Sequence, residues 1–189
     1  MKNKKILITG AAGNIGSSLC KELLKDEDNY IIGLDNLSTG KIKNIKFNKR
    51  KKFNFIKCDV NNKKKLNLIF KKYKINFIFH YAAVVGVQRT LKNPLEVLND
   101  IEGIKNILEN CKKYKIKRLF FSSSSEVYGE PFESPQNELT TPLNSRLPYA
   151  IVKNVCESYI KTYHKEYGIN YTILRLFNTF GPSQSQDFV

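Results

Sequence analysis

A phenol and an ammonium stand four residues apart in Tyr149-Ala-Ile-Val-Lys153, a spacing that puts both on one face of a helix. An ammonium beside a phenol favours the phenolate, so Tyr149 is a candidate general base for a hydroxyl proton. The run Ser122-Ser123-Ser124-Ser125-Glu126 precedes it and offers hydroxyls that can hydrogen-bond the reacting oxygen, with a carboxylate alongside. A serine cluster of this kind also caps turns.

A second set of residues lies near the N-terminus. Gly10, Gly13 and Gly16 give the spacing GxxGxxG directly after the apolar run Ile6-Leu7-Ile8 and at the start of a helix-period segment. The first glycine permits a tight turn, the second a close approach of backbone to a pyrophosphate, and the third close packing of helix on strand. Unpaired amides and the positive end of the helix dipole would then hold the pyrophosphate. Asp35 follows Gly16 by nineteen residues, at the end of the next apolar run. An acid at that spacing takes the adenosine ribose hydroxyls of NAD and repels the 2′-phosphate of NADP. Lys153 can hold the other ribose, at the nicotinamide end.

These groups need a scaffold that brings them to one edge. The pattern predicts strands at 6–8, 30–34, 52–57, 76–81, 118–122 and 171–176, alternating with helices at 14–25, 62–73, 95–114 and 149–167. The first helix places Ile15, Leu19, Leu23 and Leu24 on one face, and the second turns Leu66, Ile69 and Phe70 inward. In the third, Asn93-Pro94 is the start signal and Leu95, Leu98, Ile101, Ile104, Ile107 and Leu108 share a face. A polar loop with several prolines spans 129–148, and Gly168 closes the last helix. Such alternation requires crossover connections and yields a doubly wound parallel α/β sheet, with ligands at the carboxyl ends of its strands. Gly10, Asp35, Asp59, Ala82, the Ser123 to Glu126 run and Asn178 all fall at such ends. Independent core residues would have no reason to collect on one rim.

With 189 residues and 41% hydrophobic content, the chain suffices for one domain with a full core. Its net charge of +15 raises nucleic acid as a partner, yet all but five of the 32 basic residues are lysines scattered along the sequence. The one dense basic run, residues 41–52, contains a single aromatic, Phe47, and reads as a solvated loop. No nucleic-acid partner is expected. Cys20, Cys58, Cys111 and Cys156 lack metal-ligand or CxxC spacing, so they read as reduced core residues of a cytoplasmic protein, with no metal site. No apolar stretch reaches membrane-spanning length.

Taken together, TGAAGNIG, LDNLSTG, CDV, HYAA, SSSSEVYG, YAIVK and LRLFNTFGP resemble the extended short-chain dehydrogenase/reductases of Rossmann fold. Within them the likeness is to the NAD-dependent nucleotide-sugar epimerases and dehydratases, and it runs essentially end to end. The resemblance implies cofactor contacts from Gly10, Gly13, Asn14, Ile15, Gly16, Asp35 and Asn36. Asp59 and Val60 would line the adenine pocket, and Ala82 and Ala83 would flank the cofactor. Ser124, Tyr149 and Lys153 match the catalytic Ser/Thr, Tyr and Lys, while Ser125 and Asn178 fall on the substrate side, Asn178 at the nucleotide-sugar phosphates. His80 matches a strand-end histidine of the family and reads here as a satisfied buried side chain.

The implied reaction passes through a 4-keto sugar, with a 4-epimerase of a UDP-sugar as the leading expectation. Glu126 bears on the alternatives, because the SEVYG stretch resembles UDP-glucuronate decarboxylases; 4,6-dehydratases carry Asp before the Glu, where this chain has Ser125. The family's Asn-x-x-Gly appears as Asp100-Ile-Glu-Gly103. Relatives continue into a substrate-binding region where this chain ends, at residues 181–189, so a domain that binds NAD without turnover is the rival reading. A homodimer through the helices at 95–114 and 149–167 is a further expectation.

Overall fold

The computed structural model describes residues 4–49, 51–85, 90 and 92–184. Position 50 of the basic run and residues 185–189 of the tail lie outside the described residues. Six strands, β1 (Lys4–Thr9), β2 (Asn29–Asp35), β3 (Phe53–Lys57), β4 (Phe77–His80), β5 (Arg118–Ser124) and β6 (Tyr171–Leu176), form one parallel sheet in the order β3-β2-β1-β4-β5-β6. The order reverses between β1 and β4, and at such a reversal the crossovers diverge and leave a crevice at the carboxyl ends.

Alternation along β1 shows how both faces are covered. Leu7 faces a core built with Ile32, Ile78 and Leu119 of the sheet and with helices α2 (Lys63–Tyr73), α4 (Asp100–Tyr114) and α5 (Pro148–Tyr167). Leu66, Phe70, Ile104, Ile107, Leu108 and Ile160 are the helical contribution, all fully buried. Ile6 and Ile8 face the other way, onto α1 (Asn14–Leu23), with Cys20 and Phe53. The helix boundaries follow local chemistry. Asn62 caps α2 by accepting from the Lys65 amide at 3.0 Å, and Pro148 opens α5 where no amide is needed. Gly168 closes α5 in the left-handed region, at φ +67.

Two expectations are corrected. The single helix expected over 95–114 is divided into α3 (Pro94–Leu98) and α4 by Asn99, whose carbonyl accepts from the Glu102 amide at 3.0 Å, one residue tighter than an α-helical bond. Along α3 Val97 is buried, while Leu95 and Leu98 point to solvent, 75% and 44% exposed. Nor is the basic run a free loop. Residues Ile42–Lys49 form a kinked 3-10 helix anchored by Ile45, which is completely buried, and by Phe47, whose ring meets Phe53 edge-on at 5.0 Å. Lys41, Lys43 and Lys46 stay in water, while Asn44 donates to the Ala12 carbonyl at 2.8 Å. The basic segment therefore braces the glycine turn.

Among the described residues, no helix is long and apolar enough to cross a membrane, and no three His, Cys, Asp or Glu side chains gather as a metal site. Truncating Ile45 tests the anchor. Ile45→Ala should lower stability by about 2–5 kcal/mol in urea unfolding, whereas a loss below about 1 kcal/mol would mark the segment as the solvated loop read from its charge.

Candidate active site

The glycine turn is dictated by contact. Gly10 has φ +70, and a Cβ there would lie 2.9 Å from the Tyr81 carbonyl and the Ala82 nitrogen. A Cβ on Gly16 would lie 2.1 Å from the Gly10 carbonyl oxygen, a separation no side chain tolerates. Gly16 thus lets α1 start directly over the turn. Gly13, Asn14 and Ile15 line the cleft at that point. Gly13 is the N-cap and supplies no side-chain bond, so the first-turn amides are left for an anion.

Asp35, almost wholly buried, shapes the neighbouring wall. Its Oδ2 accepts from the Ala12 amide at 2.9 Å and its Oδ1 from the Leu37 amide at 2.7 Å. Each carboxylate oxygen keeps a further lone pair for a hydroxyl. Asn36 Nδ2 donates to Asp59 Oδ2 at 2.9 Å, and the Asn61 amide donates to Asp59 Oδ1 at 2.8 Å. This joins the ends of β2 and β3 around Val60. Gly103 lets α4 close on that wall, since a Cβ there would reach Val60 Cγ2 at 2.8 Å. The side chain of Asp100 turns elsewhere, its Oδ2 accepting from the Val84 amide at 2.7 Å.

Beneath the reversal point, the fully buried Thr9 hydroxyl accepts from the amides of Tyr81 and Ala82, both at 3.1 Å, and lies 2.8 Å from His80 Nδ1. Having accepted twice, it gives its own proton to Nδ1, which fixes His80 as the neutral tautomer with hydrogen on Nε2. Burial, with Lys153 as a nearby positive charge, pushes the His80 pKa down to about 3. His80 is the satisfied core histidine read from the sequence.

On the opposite wall, Ser124 closes β5 and its Oγ accepts from the Glu126 amide at 3.2 Å, capping a 3-10 turn (Ser125–Tyr128). The capping reading of the serines therefore holds for Ser124, and its hydroxyl still borders the cleft. Tyr149 opens α5. One turn on, Lys153 lies under the Tyr149 ring, with Nζ 5.5 Å from its centroid and 5.0 Å from that of Phe121. Lys153 Nζ donates to the Ser122 carbonyl at 2.7 Å, and the side chain is buried. A cavity of about 10 Å³ behind Tyr149, bounded by His80, Asp100, Lys153 and Cys156, has room for one water at most.

The main cleft encloses about 1130 Å³. Gly10, Gly13, Asn14, Ile15, Gly16, Asp35, Asn36, Asp59, Val60, Ala82, Ala83, Ser124, Glu126, Tyr149 and Asn178 all line it. Ser125 does not, although Glu126 beside it in the same 3-10 turn does, and Lys153 lies behind Tyr149. Its glycine cradle, helix N-terminus and buried acid at the end of β2 fit a dinucleotide.

Two features escaped the sequence reading. One is the Thr9 lock. The other is a buried group comprising Ser123, Glu157 and Arg175, in which Ser123 Oγ donates to Glu157 Oε1 at 2.6 Å and the Arg175 fork grips both Glu157 oxygens at 3.0 and 2.9 Å. Burial would raise the Glu157 pKa, but hydrogen bonds from Arg175 and Ser123, with the charges of Arg175 and Lys161, hold it below the usual range. A signal was present in sequence, since Glu157 repeats the four-residue spacing of Tyr149 and Lys153; its arginine partner, on another element, was not legible. All four cysteines are free and buried, and burial pushes the thiols of Cys20 and Cys156 up to about 12.

The depressed His80 pKa has a consequence for stability. An unfolded chain protonates this histidine below about pH 6.5, whereas the folded chain resists until about pH 3. Stability contributed by neutral His80 is therefore complete above pH 6.5 and declines as pH falls towards 3, by up to about 1.4 kcal/mol per unit. Urea unfolding between pH 7 and 5, above the range in which most carboxylates titrate, should show this slope, and His80→Gln should flatten it. Equal slopes in the two proteins would remove His80 as the cause.

The profile of the NAD dependent epimerase/dehydratase family matches residues 6–189. A UDP-N-acetylglucosamine 4-epimerase from Methanobrevibacter ruminantium M1, solved with UDP-N-acetylmuramic acid, superposes with a TM-score of 0.89 at 37% identity, covering 98% of this chain and 58% of that one. A UDP-glucuronic acid 4-epimerase from Bacillus cereus, solved with UDP-glucuronic acid and NAD, gives 0.86 at 34% identity over 95% of this chain and 58% of that one. UDP-glucuronic acid decarboxylase 6 of Arabidopsis thaliana is 34% identical over 191 residues, 98% of this chain and 53% of its own length. The chain thus spans little more than half the length of these relatives. Because the family model covers nearly the whole chain, the chain belongs to the NAD-dependent epimerase/dehydratase family, whose cofactor is NAD.

Proposed function

We propose that this chain carries the cofactor half and the proton-handling residues of a nucleotide-sugar 4-epimerase acting on a UDP-sugar through a 4-keto intermediate. The observation that carries the reading is the convergence of Asp35, Ser124, Tyr149 and Asn178 on one cleft above the glycine turn. The Tyr149 phenolate takes the proton of the sugar 4-hydroxyl, while the Ser124 hydroxyl hydrogen-bonds the same oxygen. Lys153, held under the ring by the Ser122 carbonyl, places a positive charge beside Tyr149. NAD, when bound by Gly10, Gly13, Gly16 and Asp35, supplies the acceptor for the hydride of carbon 4. Asn178 holds the substrate phosphates. After the keto sugar turns over, return of hydride to its other face and of the Tyr149 proton to oxygen gives the 4-epimer.

Glu126 favours a second reading. Its carboxylate borders the same cleft, and a relative of this chain is named as a UDP-glucuronic acid decarboxylase. Acting there, the chain would let a uronate 4-keto sugar lose carbon dioxide. The third reading is binding of NAD without turnover, for which the glycine turn and the Asp35 wall suffice. The four free, buried thiols fit a cytoplasmic setting. For a homodimer, Leu95, Leu98 and Ile151 are apolar and exposed on the α3 and α5 side.

Product mass analysis with NAD and a panel of UDP-sugars separates these readings. Unchanged mass with altered retention marks the epimerase, and loss of carbon dioxide from UDP-glucuronate marks the decarboxylase. Turnover confined to a longer form of the chain leaves the binding reading. Tyr149→Phe should cut hydride transfer about 10²-fold or more, with the NAD dissociation constant unchanged within about twofold. Surviving turnover would remove Tyr149 as the base. Asp35→Asn should weaken NAD about tenfold and narrow its advantage over NADP; an unaltered ratio of the two affinities would contradict the ribose assignment.

A further inference from the structure

We propose that Glu157 and Arg175 are positioning residues whose buried ion pair sets where Ser124 and Tyr149 stand relative to each other. The proposal rests on the reading that these two hydroxyl groups handle the substrate proton. Neither Glu157 nor Arg175 borders the main cleft, so they act through other groups.

Glu157 lies one helical turn beyond Lys153 on α5, on the side facing the end of β5. The two side chains attach the helix to consecutive strand residues, Lys153 through the Ser122 carbonyl at 2.7 Å and Glu157 through the Ser123 hydroxyl at 2.6 Å. Ser124 is the next residue. With a rise of about 3.3 Å per strand residue, two adjoining attachments leave its Cα little freedom. Tyr149 is tied to the same helix two turns earlier.

Arg175 fixes the other side. It stands opposite Ser123 in the β5–β6 register, and its Nε and Nη2 meet Glu157 Oε1 and Oε2 at 3.0 and 2.9 Å. Its remaining nitrogen, Nη1, donates to the Tyr128 hydroxyl at 3.0 Å and to the Glu138 carbonyl at 3.1 Å. Tyr128 ends the turn that begins after Ser124, and Glu138 belongs to the segment leading into Tyr149. One guanidinium therefore holds both chain segments that leave or enter the two reacting side chains. Exposure is 1% for the Glu157 side chain and 10% for that of Arg175. Charges this deeply buried add little net stability over an apolar pair of similar volume, but the planar fork fixes direction, which an apolar pair cannot.

The test uses the full chain with ring-¹³C tyrosine, the Tyr149 resonance being identified by its loss in Tyr149→Phe. In Glu157→Gln, and in Arg175→Lys, which keeps charge but not the fork, the Tyr149 and Tyr128 resonances should shift or broaden. Tyr30, on β2 three strands away from β5, should stay in place, and NAD affinity should hold within about twofold. If both variants fail to fold, Ser123→Ala removes one attachment without stranding a charge and should displace Tyr149 in the same way. A purely structural ion pair would lower the melting temperature and leave Tyr149 unmoved. That result in a folded variant overturns the proposal. Because the readout needs neither substrate nor turnover, it is independent of whether Tyr149→Phe abolishes hydride transfer.

Discussion

The Gly10 carbonyl lies so close over the Cα of Gly16 that a Cβ on Gly16 would sit 2.1 Å from its oxygen. This contact lets α1 begin directly at the end of β1 and presents its first amides at the mouth of the sheet. The adjoining residue, Thr9, spends its hydroxyl on the two amides by which the chain leaves β4. Ala12, two residues on, gives its amide to Asp35 and its carbonyl to Asn44. The cofactor wall, the opposite half of the sheet and the basic brace thus all take their position from four consecutive residues. A shift at that turn would move the glycine cradle, the Asp35 wall and the chain leaving β4 together.

What the sequence made legible was whatever is written locally. The strand runs, the glycine spacing, the acid after β2 and the Tyr-Lys pair each depend on neighbours within one element, and the structure puts nearly all of them on one rim. The failures have a common physical cause. Periodicity carried through Asn99 as if the helix were continuous, because a single tightened bond leaves no trace in residue types, and Leu95 and Leu98 were turned inward on paper. Charge hid Ile45, since seven basic residues in the surrounding stretch outweigh one apolar side chain in any average. The pairing of Glu157 with Arg175 and the lock at Thr9 join separate elements, and nothing in one sequence names a partner across such a gap.

The charges in the site follow from how burial is shared out. Lys153 is nearly enclosed, and the Ser122 carbonyl and the faces of Phe121 and Tyr149 surround its Nζ. A second cation beside it would be costly in so dry a place. His80 is the neighbour that could supply one, and its burial and the Thr9 proton keep it neutral. Lys153 therefore stands as a cation beneath the Tyr149 ring with a neutral imidazole for its neighbour.

Glu126 stands under different physics. It borders the cleft yet is exposed, so water screens its carboxylate and weakens whatever it does to a distant bond. Groups that remove the first proton are fixed by the fold, through packed helices and buried hydrogen bonds. A residue in water acts strongly only when a bound molecule displaces that water, and the extent then depends on how the substrate packs against it. On the proposed reading, the oxidation step belongs to the scaffold and the fate of the keto sugar to its contacts at the rim. This accounts for relatives of similar identity over this same stretch bearing the names of an epimerase and a decarboxylase. It also means that exchanging the side chain at Glu126 should alter which product forms more than how fast the sugar is first oxidised.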